Sequence, residues 1–122
     1  MKAEETIMPT PVNPLDFYAA QAIKTYFPLM LAQEWTWDGF ESFDDMLGRR
    51  SALMAQQMLV YRDRHEATQG ITQLDYIACA AMEAYLKEAV ENNYSFDGFS
   101  SWEDMVASNA FSMALATVPH LN

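Results

Sequence analysis

The chain has 122 residues, 51% of them apolar and 13% aromatic, enough to build one packed core and too many for a disordered chain. Seventeen acidic residues against seven basic ones give a formal charge of −10. Such a surface excludes direct binding to DNA or RNA phosphates, which needs Lys and Arg to displace counterions, and leaves solubility, a basic protein partner or imitation of nucleic acid.

The imbalance steepens along the chain. Residues 1–67 hold 10 acids and 6 bases (−4), whereas residues 68–122 hold 7 acids and one base, Lys87 (−6). Cys79 is the single cysteine, so no intrachain disulfide or thiolate cluster forms; set among Ala78, Ala80 and Ala81, it reads as a small buried thiol. No run approaches the ~18 apolar residues of a membrane span. The first residues lack the apolar core of a signal peptide, so a cytoplasmic location is expected.

Residues 1–12, polar and carrying Pro9 and Pro11, read as a flexible arm ahead of one helical domain over 13–122. Asn13-Pro14 opens a first helix, Asn as the cap and Pro where a missing N–H costs nothing. Leu15, Tyr18, Ala22, Tyr26 and Leu29 follow the spacing of one helical face, out to about Glu34. Pro28 should kink or break that helix.

Asp38-Gly39 then marks a turn, and Ser42, with Asp44 and Asp45 in the first turn, caps a second helix running to about Glu66. Arg62, Arg64 and His65 fall in its last turn, where the helix dipole favours cations. Thr72 with Asp75 starts a third helix to about Asn92. Ser101 with Asp104 starts a fourth, to about Thr117, which Pro119 ends.

The second pair of helices repeats the first. At a fixed offset of 59, residues 15–59 overlay 74–118 without gaps, and 13 of the 45 pairs are identical. Trp35-Thr36-Trp37-Asp38-Gly39-Phe40 returns as Tyr94-Ser95-Phe96-Asp97-Gly98-Phe99, and Ile23, Phe27 and Leu31 pair with Met82, Leu86 and Val90. With no competing strand pattern, the expected fold is all-α: a four-helix bundle of two tandem helix–loop–helix repeats (13–67 and 72–118) with approximate internal two-fold symmetry.

The repeated aromatic loop serves either as a packing hinge or as a recognition surface with one exposed aromatic per loop, Trp37 and Phe96 being the candidates. The carboxylates Glu83, Glu88, Glu91, Asp97, Glu103 and Asp104 form a candidate acidic face for a cationic groove. Asp38, Glu41, Asp44 and Asp45 have neither EF-hand spacing nor the Glu-x-x-His pair of di-iron bundles, so helix capping accounts for them and no metal is expected. Arg49, Arg50, Arg62 and Arg64 read as surface ion-pair partners of Asp45, Asp63 and Glu66, and the nine Met residues as core filler. With no nucleophile–base spacing and no Gly-rich phosphate loop, no enzyme and no cofactor are expected.

The stretch Ala84-Tyr85-Leu86-Lys87-Glu88, followed by Tyr94, Asp97, Glu103-Asp104 and Val118-Pro119-His120, resembles the DNA-mimicking antirestriction proteins of T7-like phages. That resemblance implies a small acidic helical protein that occupies the DNA groove of a host enzyme as a dimer. It extends to the broader class of phage anti-defence proteins, anti-CRISPR proteins included. The leading expectation is therefore a non-catalytic, phage-encoded inhibitor of a nucleic-acid-binding host enzyme, acting in the host cytoplasm. The alternative is an assembly module that self-associates, for instance as a homodimer; a third reading, a motif-free enzyme or ligand-binding bundle, would be favoured by a pocket between the hairpins.

Overall fold

Four cap residues set the starts of four helices. In the computed structural model, which describes residues 12–66 and 68–122, the helices are α1 (Pro14–Ala32), α2 (Phe43–Arg62), α3 (Gln73–Glu91) and α4 (Trp102–Thr117), followed by a 3₁₀ turn at Val118–His120. The backbone N–H of Asp16 donates to Asn13 at 2.8 Å, that of Asp45 to Ser42 at 3.0 Å and that of Asp104 to Ser101 at 3.0 Å. Thr72 and Asp75 close a reciprocal capping box. The arm expected over residues 1–12 lies outside the described residues except for Val12. No strand occurs among the described residues, so the protein is an all-α four-helix bundle.

Helices α1 and α3 end alike. Glu34 and Asn93 adopt positive φ of 54° and 51°, and each sits inside a Schellman closure: Trp35 N–H donates to Met30 O and Glu34 N–H to Leu31 O, as Tyr94 does to Ala89 and Asn93 to Val90. The loops then turn at Asp38-Gly39 and Asp97-Gly98, where Gly39 and Gly98 take φ near +90° and Phe40 and Phe99 donate back three residues. Two boundaries differ from expectation. Helix α1 does not break at Pro28; Pro28 and Lys24, whose carbonyl loses its helical partner, are both exposed, so the lost bond is not in the core. Helix α2 ends at Arg62 rather than near Glu66, because residues 63–65 tighten into turns.

The hairpins α1–α2 and α3–α4 pack together through α1 on α3 and α2 on α4. Phe17 meets Tyr76 edge-on at 5.5 Å near one end of α1 and α3, while Ala32 and Glu91 share a groove near the other, so these helices run the same way. Both aromatic loops therefore lie at one end of the bundle. The core holds Tyr18, Tyr26, Met30, Met54, Met58, Met82, Leu86, Val106 and Phe111, with Met113 an exception to the methionine filling, since it is exposed.

Burial does not follow the repeat. Met82, Leu86 and Val90 are buried, but their counterparts Ile23, Phe27 and Leu31 are 44, 46 and 56% exposed. The core face of α1 is Tyr18, Ala22, Tyr26 and Met30, one residue out of phase with Ala78, Met82, Leu86 and Val90 of α3. One residue is 100° of helix, so the two copies turn different faces inward.

Candidate functional site at the loop end

The loop end is built from both copies. Within residues 33–45 and 88–101, Glu34, Asp38, Glu41, Asp44, Glu88, Glu91 and Asp97 are exposed, and no Lys or Arg occurs in either segment. From this surface project Trp37 and Phe96, repeat partners that are 50 and 42% exposed. Trp35, Phe40 and Phe99 fold inward and are half-buried, whereas Tyr94 is exposed and lies edge-on to Tyr85 at 5.8 Å. Each loop is thus a packing hinge that leaves aromatics outside: Trp37 in the first, Phe96 and Tyr94 in the second.

Between the loops lies an open cleft of about 370 Å³, walled by Trp35, Phe96 and Trp102 with Leu53, Arg50 and Glu103. Trp35 and Trp102 meet edge-on at 6.5 Å, and the Arg50 guanidinium stands over the Trp35 ring at 5.3 Å. Behind this wall Glu103 accepts from Arg50 Nη1 at 3.2 Å and from the Tyr26 hydroxyl. Burial, followed by the Glu103 charge, pushes the Tyr26 hydroxyl well above the ordinary tyrosine range, so it stays a donor. The Arg50 Nε is buried without a partner.

A second network of the same composition closes the opposite end. Asp75 accepts from the Tyr18 hydroxyl at 2.6 Å and from Arg62 through Nε at 2.8 Å and Nη2 at 3.1 Å. In each network α1 supplies a tyrosine, α2 an arginine and the second copy a buried carboxylate.

The expected acidic face is corrected at several positions. Glu103 is only 1% exposed and spends its charge on Arg50 and Tyr26, because Trp102 and the loop packing draw the first turn of α4 into the core; it is not a surface residue. Asp104 is half-buried and accepts from the Ser100 backbone N–H and hydroxyl and from Tyr61. Burial alone would raise its carboxyl, but those bonds hold it below the usual carboxylate range.

Glu88 is exposed and accepts from Asn92 and Tyr94, and Glu91 pairs with Lys87 at 3.1 Å. Glu83 is half-buried and lines the α1–α3 groove with Lys24 and Pro28, apart from the loops. Only Asp97 stands beside Phe96 with its carboxylate exposed. The exposed acidic patch therefore owes as much to Asp38, Glu41 and Asp44 of the first copy as to the second.

The basic residues divide too. Arg49 pairs with Asp45 at 2.9 Å as expected, but Arg50 and Arg62 are not surface partners of their own helix; they cross to Glu103 and Asp75. Nothing in the spacing of Arg50 marks it for the cleft, whereas the loss of the arginine pair in the second copy, Ser108-Asn109, was a signal that the copies differ there. Among the described residues no group of three or more His, Cys, Asp or Glu is placed to hold a metal ion, and no helix is long and apolar enough to cross a membrane. Compared with known proteins, the chain matches no family model, no curated protein and no solved structure.

Proposed function

We propose that the protein is a non-catalytic binding module that docks its loop end on the basic surface of a protein partner, a nucleic-acid-binding host defence enzyme being the class its acidic character and phage-like resemblance suggest. The observation that carries this is the pairing of two exposed repeat-related aromatics, Trp37 and Phe96, with the exposed carboxylates of Glu34, Asp38, Glu41, Asp44, Glu88 and Asp97, Glu91 being held by Lys87. Exposed aromatic anchors inside a polar ring are the residues that dominate protein interfaces, and a one-signed field speeds encounter with an oppositely charged partner.

The test is capture from a bacterial lysate with intact defence systems, using wild type and Trp37→Ala with Phe96→Ala. A nucleic-acid-binding enzyme held at low salt, released at high salt and not held by the double variant supports the reading. Capture that the variant retains in full would remove the loop end as the docking face.

A second reading has its own observation. The row Ile23, Phe27 and Leu31, exposed on α1 while its repeat counterparts are buried, suits a self-associating assembly module. Mass measured against concentration separates the two: a dimer lost on Phe27→Glu and indifferent to salt favours assembly.

A further inference from the structure

We infer that the cleft between the hairpins binds a small planar aromatic carboxylate, its ring against Trp35, Trp102 and Phe96 and its carboxylate on the Arg50 guanidinium. This goes beyond docking to a protein and needs no partner. Trp35, Arg50 and Leu53 wall the cleft from the first copy, and Phe96, Trp102 and Glu103 from the second. A volume of about 370 Å³, three aromatic side chains and a few convergent polar groups make a lining suited to a small molecule.

The ion pair in this lining is lopsided. The Arg50 side chain is 36% exposed and that of Glu103 only 1%, so an incoming molecule meets the cation and not the carboxylate that balances it. No carboxylate that lines the cleft is exposed. The guanidinium also has donors to spare. Nη1 is given to Glu103, Nε is buried without a partner, and Nη2 donates to no group among the described residues. A carboxylate accepts from such a fork through charge-assisted bonds. The cleft lies at the start of α4 besides, where the helix dipole favours negative charge.

Arg50 is held over the Trp35 ring at 5.3 Å, so its position is set before a ligand arrives. A cation is repelled by it, and an aliphatic acid forgoes the rings; a ring conjugated to a carboxylate uses both. The overall charge of −10 is spread over the surface and screened beyond about 8 Å at physiological salt, so contact chemistry decides.

The test is calorimetric titration of the full chain with cinnamate, its neutral isostere cinnamamide and the cation cinnamylamine. Cinnamate should bind saturably, about tenfold tighter than the amide, and the amine should not bind. In nitrogen-15 spectra the indole N–H signals of Trp35 and Trp102 should move with cinnamate, and that of Trp37, outside the cleft, should not.

Two variants place the contacts. Phe96→Ala, at an exposed position, should weaken cinnamate several-fold. Arg50→Gln with Glu103→Gln removes the ion pair as a unit, stranding no charge, and should bring cinnamate down to the level of the amide. Equal binding of acid and amide by the native chain, no binding of either, an acid preference that survives the paired exchange, or a shift confined to Trp37 would overturn the site.

Discussion

The Arg62 guanidinium grips the Asp75 carboxylate in a fork, Nε to Oδ1 at 2.8 Å and Nη2 to Oδ2 at 3.1 Å, joining the last residue of α2 to the first turn of α3. The same carboxylate accepts from Tyr18 and closes the Thr72 cap. One side chain therefore fastens the helix start, the inter-hairpin connection and the α1–α3 contact. Removing a single partner from a buried pair leaves the other charge stranded. Asp75→Asn should cost about 3 kcal/mol, read as a lower urea midpoint with an unchanged slope.

Asp75 also sets an acid limit. Burial would raise its carboxyl, but the Arg62 and Tyr18 bonds and the Thr72 N–H outweigh that and hold it below the ordinary carboxylate value of 3.8. A folded-state value below the unfolded one contributes stability that is full above the unfolded range and disappears as pH falls through the folded value. Thermal midpoints taken from pH 6 downward should therefore fall below about pH 4. Asp75→Asn should flatten that part of the curve, and an unchanged acid slope would contradict the assignment.

Ser51 is buried with an unpartnered hydroxyl, whereas its repeat counterpart is the fully buried Ala110. An unmet buried donor costs about 1–3 kcal/mol. Ser51→Ala, the exchange the second copy already carries, should raise stability by about 1 kcal/mol in chemical denaturation.

Glu34 holds φ of 54° at the end of α1, a conformation that L side chains with a Cβ adopt at a cost. Glu34→Gly should therefore stabilise the bundle by up to about 1 kcal/mol, the Schellman bonds being retained. It also removes one loop-end carboxylate, so the gain should appear in thermal unfolding at high salt, where surface charge is screened.

Burial, then the nearby Glu83 carboxylate, pushes the Cys79 thiol up to about 12. At pH 8 the native protein should consume almost no thiol reagent, and a full equivalent should react once urea unfolds it. Rapid labelling of the native state would show that α3 opens locally.

Under the proposed docking of the loop end, Asp38→Asn with Asp97→Asn removes one exposed carboxylate from each loop. Rim charges act chiefly on encounter, so association should slow and its salt dependence flatten, with dissociation little changed. Surface plasmon resonance on a captured partner at two salt concentrations checks this.

Helix starts were legible because caps act locally: Asn13, Ser42, Thr72 and Ser101 each bond an N–H three residues ahead, whatever the rest of the chain does. The Asp-Gly turns were legible for the same reason, Gly39 and Gly98 supplying the positive φ. The Schellman ends were not, since Glu34 carries no glycine signal. Trp37 and Phe96 are exposed, but Tyr94 is too, so the second loop departs from one aromatic per loop; Glu103 looked like one more surface acid and proved to be buried.

By itself the amino-acid order determined the four helices, the duplicated hairpins and the acidic balance, because capping, periodicity and charge are short-range or additive properties. Only the tertiary structure decided which face each copy buries, which acids are consumed inside and where a cleft opens. Those outcomes depend on how two similar hairpins meet. A rotation of one residue sends Met82, Leu86 and Val90 into the core and leaves Ile23, Phe27 and Leu31 outside, and no pattern within either repeat specifies that rotation.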